Sequence, residues 1–213
     1  VTLIAGQLFA LLVQIVLQNC YTNAQLTAFG WRIPFGIGAI GALVVLWLRL
    51  SMKESDQFTR HNQHQTKAGT LRLLMRYPKQ IVIVIMMTLG GTICFYTYTT
   101  YLQQFMINSV GMAKEQVALI NFAALLVMII LQPLFGALSD RIGRRPLLIF
   151  FGLGATLGTV PLFTLLSHAT KDWQALGLMV GALVIVSGYT SINAIVKAEL
   201  FPSEIRALGV GLP

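Results

Sequence analysis

The sequence predicts an all-α fold, a polytopic bundle of membrane-spanning helices, and three observations predict it. Hydrophobic residues make up 56% of the chain and charged ones only 10%, where an ordinary soluble domain carries roughly 25% charged residues. Mean hydropathy is +0.74. The charges are also unevenly spread. Charge-free runs cover Val1 to Trp31, Ile33 to Leu48, Gln80 to Ala113, Gln116 to Ser139, Pro146 to Thr170 and Trp173 to Val196, and about 20 apolar residues cross a bilayer as a helix. Six spans are therefore expected, with the lipid bilayer as the principal partner.

The first run is longer than one span needs. Its polar end, QNCYTNAQLT, reads as an exit loop, which leaves a helix from Leu3 to Leu17. The second run is short and extends through Arg32 and Arg49, whose long stems carry the charge to the interface. Ser51 to Pro78 is the one long polar connection. It divides the chain into 1–50, a linker at 51–79 and 80–213, and its TLRLLMRY segment suits a basic amphipathic helix on the membrane surface. His61 and His64 lie in this linker without a third ligand beside them, so no metal site is expected.

Lysine and arginine set the orientation, because they are retained on the cytoplasmic side during insertion. One set of connections holds Arg49, Lys53, Arg60, Lys67, Arg72, Arg76, Lys79, Arg141, Arg144, Arg145, Lys197 and Arg206; the other holds Arg32, Lys114 and Lys171. The first set faces the cytoplasm, and the loops near Asn23, Asn108 and His168 face out. The formal charge of +8 forms no continuous stripe and so predicts no nucleic-acid partner. Cys20 and Cys94 stand apart without a CxxC or a Cys/His cluster, as small apolar residues would.

Gly36, Gly38 and Gly41 satisfy GxGxxG, but inside an apolar span the pattern has no strand end and no exposed helix terminus to hold a phosphate. These glycines, with Gly154 and Gly158 and with Gly177 and Gly181, are expected to let helix backbones approach closely. No nucleophile, metal or nucleotide arrangement appears, so neither enzymatic activity nor a cofactor is expected. The spans do carry neutral polar groups: Gln7 and Gln14, the YTYTTY run with Gln103 and Gln104, Asn121 and Gln132, and the group Tyr189, Thr190, Ser191 and Asn193. Such groups bond across helices or line a wet cavity. The candidate cavity residues are Tyr96, Tyr98, Tyr101, Gln104, Tyr189 and Asn193. Arg32 stands at an outer mouth, either to attract anions or to anchor its span.

The turn GALSDRIGRRP, with Gly136, Asp140, Arg141, Gly143, Arg144 and Arg145, resembles a cytoplasmic loop signature of the major facilitator superfamily. AELFPSEIRALGVG, with Glu199, Pro202 and Arg206, resembles that superfamily's other cytoplasmic signature. GWRIPF, FYTYTTYLQQF and KAELFPSEIRALGVGL are similar to segments of its metabolite:proton symporters. The resemblance implies a major facilitator fold of twelve helices, of which this chain is an internal fragment holding helices five to ten and the start of eleven. It further implies a monomer in the bacterial cytoplasmic membrane that moves a small organic anion with protons by alternating access. The substrate expected is 2-oxoglutarate, with citrate, shikimate and proline or betaine as alternatives. A non-transporting membrane sensor on the same scaffold is the reading from another class. In that frame the charged turn is a cytoplasmic gate: Asp140 pairs with Arg144 and faces the helix beginning near Ala207, and Glu199 pairs with Arg206. The main cation for the anion and the titrating group are expected from helices outside this chain.

Overall fold

The computed structural model describes residues 2–51, 71–169, 171–203 and 205–211; the linker histidines His61 and His64 lie outside them. Among the described residues there are helices and turns and no strand. Six helical segments are long and apolar enough to cross a membrane: Leu3–Cys20, Leu26–Ser51, Pro78–Asn108, Lys114–Ile142, Arg144–Ser167 and Asp172–Glu199. They are the spans expected from the charge-free runs. The first continues past Leu17 to Cys20, because the turn comes only at Tyr21 and Thr22. Polar residues extend a helix readily once its end reaches the headgroup region.

The helix ends have local causes. Pro78 opens the third span at a position where its missing N–H has no partner to lose. Gly143 divides the fourth from the fifth with φ of +89°, a conformation that side chains with a Cβ avoid. At the start of the sixth, Gln174 reaches back to accept the Lys171 N–H. Two π-helical turns interrupt the regular spacing, at Leu26–Gly30 and at Thr97–Tyr101.

The core joins five spans. Ile4, Leu8 and Leu11 of the first meet Ile120, Ala124 and Met128 of the fourth, while Tyr98, Leu102 and Met106 of the third, Leu162 and Leu166 of the fifth, and Met179, Leu183 and Val186 of the sixth complete the cluster. The fourth and sixth are the most enclosed, and the second has no buried residue between Arg32 and Ser51. The glycine expectation divides. Ile185 of the sixth span packs over Gly154, where an added Cβ would stand 3.0 Å from it, and beside Gly158 at 3.4 Å. Among the described residues, Gly36, Gly38, Gly41, Gly177 and Gly181 have nothing within 4 Å of an added Cβ.

At one end, the linker's short helix Leu71–Leu74 inserts Leu74 beside Val84, Phe201 and Ile205. The expected surface helix is thus shorter than TLRLLMRY, and it docks on protein. This brings the start of the third span and the turn after the sixth together at the end where the basic loops gather.

Candidate functional site

Two constellations stand out, a charged bridge at the basic end and, above it, a cavity with a few polar groups in a mostly apolar wall. The bridge begins with Gly143. Its left-handed backbone lets its N–H close on Ser139 O at 2.9 Å while the chain reverses, so Arg144 points back over the helix it has just left. Arg144 Nη1 donates to Asp140 Oδ1 at 2.7 Å and to the buried Ser139 Oγ at 3.0 Å, and Nη2 donates to Glu199 Oε1 at 3.4 Å. One guanidinium therefore ties the ends of the fourth, fifth and sixth spans. Its side chain is 27% exposed against 69% for Asp140 and 56% for Glu199, so the pairs are wet and each is weak.

The expected Asp140–Arg144 pair is present. Glu199, by contrast, pairs with Arg144 and not with Arg206, which is exposed at the start of the helix Arg206–Gly211 beyond the turn at Phe201. Among the described residues, Asp140 makes no bond to that helix either, since its carboxylate is turned to Arg144. Arg141, Arg145 and Pro202 are exposed and Gly136 is half-buried, outside the bridge.

The cavity, of about 230 Å³, lies between Leu3 and Ile4 of the first span, Gly91, Thr92, Phe95 and Tyr96 of the third, Gln132 of the fourth, and Tyr189, Thr190 and Asn193 of the sixth. Tyr189 is its fixed wall. The ring stacks on Phe151 with centroids 5.0 Å apart and lies so close to the third span that a Cβ on Gly91 would stand 1.9 Å from it. Among the described residues, the Tyr189 hydroxyl and Asn193 Oδ1 are buried without a hydrogen-bond partner. Unpaired groups of this kind cost about 1 to 3 kcal/mol each, and they are the groups a polar ligand or water satisfies.

Of the candidate cavity residues, Tyr96, Tyr189 and Asn193 line this space. Tyr98, Tyr101 and Gln104 lie elsewhere. Tyr98 is buried against the fifth span with its hydroxyl 2.5 Å from Thr159 Oγ1; Tyr101 leans on Phe163 at 5.8 Å; Gln104 is exposed. The reason is helical geometry. At 3.6 residues per turn, neighbours two apart lie on nearly opposite faces, and the π-helical turn at Thr97–Tyr101 shifts the register again. Arg32 stacks over Trp31 at 5.2 Å, the arrangement of an interfacial anchor.

Two cavity groups, Gln132 and Thr190, are polar positions whose role in the site the linear pattern did not single out. Lys197 is the other addition. Counted as a loop residue on sequence, it lies within the helix Asn193–Glu199 and is 8% exposed. Its spacing of four from Asn193 was the available signal.

Comparison with known proteins matches residues 23–212 to the Major Facilitator Superfamily. The chain is 47% identical over 212 residues to the alpha-ketoglutarate permease of Escherichia coli K12, covering 100% of this chain and 49% of that protein. It is 27% identical over 189 residues to the citrate-proton symporter of Klebsiella pneumoniae, covering 89% of this chain and 43% of the relative. To the shikimate transporter of Escherichia coli K12 it is 26% identical over 195 residues, covering 90% and 44%. The chain spans about half the length of the curated relatives it matches. No solved structure matches. With six membrane-length helices and a family match along almost its whole length, this chain belongs to the major facilitator superfamily.

Proposed function

We propose that this chain forms part of a proton-coupled symporter that carries alpha-ketoglutarate across the bacterial cytoplasmic membrane by alternating access. The observation that carries this reading is the 47% identity to an alpha-ketoglutarate permease, sustained over 100% of the chain. The cavity supports it: neutral donors and acceptors from several spans converge there, as transport sites near the midplane require. Tyr189, Asn193 and Tyr96 form its wall. Arg144, held by Asp140 and Glu199, is the latch that keeps the cytoplasmic side closed while the cavity faces out. A sum of wet pairs suits this role, because a latch must bias states separated by a few kcal/mol and still open. The protein works as a monomer.

Uptake of labelled 2-oxoglutarate into proteoliposomes by the full-length protein, with and without an inward proton gradient, is the direct test. Gradient-stimulated uptake is expected; no uptake under either condition sinks the reading. Citrate, shikimate, proline and betaine as competitors distinguish the neighbouring substrate classes, and stronger competition by any of them than by unlabelled 2-oxoglutarate reassigns the substrate.

A further inference from the structure

Gln132 is 4% exposed and stands in the cavity wall on the fourth span. Its Nε2 donates to Thr190 Oγ1 at 2.8 Å and to Ser187 Oγ at 3.4 Å. Neither hydroxyl has a proton left for it, as Ser187 Oγ donates to Leu183 O at 2.7 Å and Thr190 Oγ1 to Val186 O at 3.2 Å. Both oxygens are therefore acceptors towards Gln132, and this orients the amide: turned the other way, its carbonyl oxygen would face two oxygens. The amide's N–H groups are committed, and Oε1 remains as an acceptor with no donor among the described residues. Asn193 Oδ1, in the same wall, is buried without a donor as well. An ionised carboxylate set against these two atoms meets oxygen with oxygen, whereas a carboxylic acid donates its O–H.

We propose that Gln132 is a specificity-determining acceptor for the acid proton of a singly protonated dicarboxylate, so that the co-transported proton crosses on the substrate. This rests on the symporter reading given above. One substrate carboxylate takes a proton from water on the outer side, its new O–H bond donates to Gln132 Oε1, and on opening inward that bond breaks and the proton passes to cytoplasmic water. One proton moves with one substrate and nothing is oxidised or reduced. The titratable groups of the lining spans are compatible with it. The third span carries Lys79, Cys94, Tyr96, Tyr98 and Tyr101, the sixth Asp172, Tyr189, Lys197 and Glu199, the first only Cys20 at its far end, and the fourth none between Glu115 and Asp140. The two carboxylates of the sixth span stand at its ends, neither lines the cavity, and Glu199 is held by Arg144.

The test measures, with the full-length protein in proteoliposomes, KM for 2-oxoglutarate from pH 6 to 8 and inhibition by 2-oxoglutaramate, whose C5 amide keeps an N–H donor at every pH. A side-chain-like carboxyl titrating near pH 4 loses its protonated form about tenfold per pH unit in this range, so KM is expected to rise about tenfold per unit while the inhibition constant of the amide stays flat. Gln132→Met is expected to lose both the slope and the amide's inhibition. A flat KM in the unaltered protein, or a Gln132→Met variant that keeps slope and inhibition, overturns the proposal. If Gln132→Met does not fold, the pH slope and amide inhibition of the unaltered protein decide alone. Absence of any 2-oxoglutarate uptake overturns the symporter reading instead.

Discussion

Lys197 is 8% exposed and has no carboxylate partner among the described residues. It follows Asn193 by four positions, about 6 Å along the helix axis, between the cavity and the bridge. A buried cation without a counter-ion is costly, and an arriving anion relieves that cost. Lys197→Gln is therefore expected to raise KM for a dicarboxylate at least tenfold, with Lys197→Arg restoring part of the loss; an unchanged KM removes Lys197 from the anion's path. Gly91 is the second residue whose size matters. With Tyr189 Cε1 1.9 Å from any added Cβ, Gly91→Ala displaces the ring into the cavity, at about 1 to 3 kcal/mol as for other overpacked sites. Weaker uptake and a lower melting temperature are expected together, and normal values for both would show that the ring moves freely. At this scale sequence indicated which residue types matter, Tyr189 and Asn193 among them, but not the closeness of Gly91 to Tyr189, which joins two spans nearly a hundred residues apart in the chain.

The helix Asn193–Glu199 couples the two constellations. It begins after a break at Ser191 and Ile192, carries Asn193 into the cavity at its first residue and presents Glu199 to Arg144 at its last. Motion of this element alters both. Asp140→Asn and Glu199→Gln each remove one wet pair, so each is expected to shift the ratio of outward-facing to inward-facing states by up to about fivefold. Cysteine accessibility reads that ratio. Arg144→Gln is expected to match the double variant, because both pairs pass through its guanidinium. A ratio unchanged in all of these variants removes the latch. The bridge was partly legible in sequence: the spacing of Asp140, Gly143 and Arg144 specifies the local pair. The choice of Arg144 over Arg206 as the partner of Glu199 depends on how the fifth and sixth spans end against each other, which no local pattern encodes.

Across the whole molecule, span number and orientation follow from the runs and the basic loops. In a background of Cys20→Ser and Cys94→Ala, single cysteines replacing Lys114 and His168 are expected to react with an impermeant thiol reagent from outside, and one replacing Arg145 only after the membrane is opened. The reverse pattern would invert the topology. The surfaces are uneven: the fourth and sixth spans are enclosed, while the second, from Arg32 to Ser51, buries nothing within this chain. Sequence by itself determined the helical class, the six membrane-length helices and the family, because hydrocarbon demands about 20 apolar residues per helix. Tertiary structure alone decided which polar groups meet. Tyr96 faces the cavity while Tyr98 packs on Thr159, and Gln132 becomes an oriented acceptor. In a span that is apolar nearly all round, periodicity carries little about facing, so the partner helices choose the face.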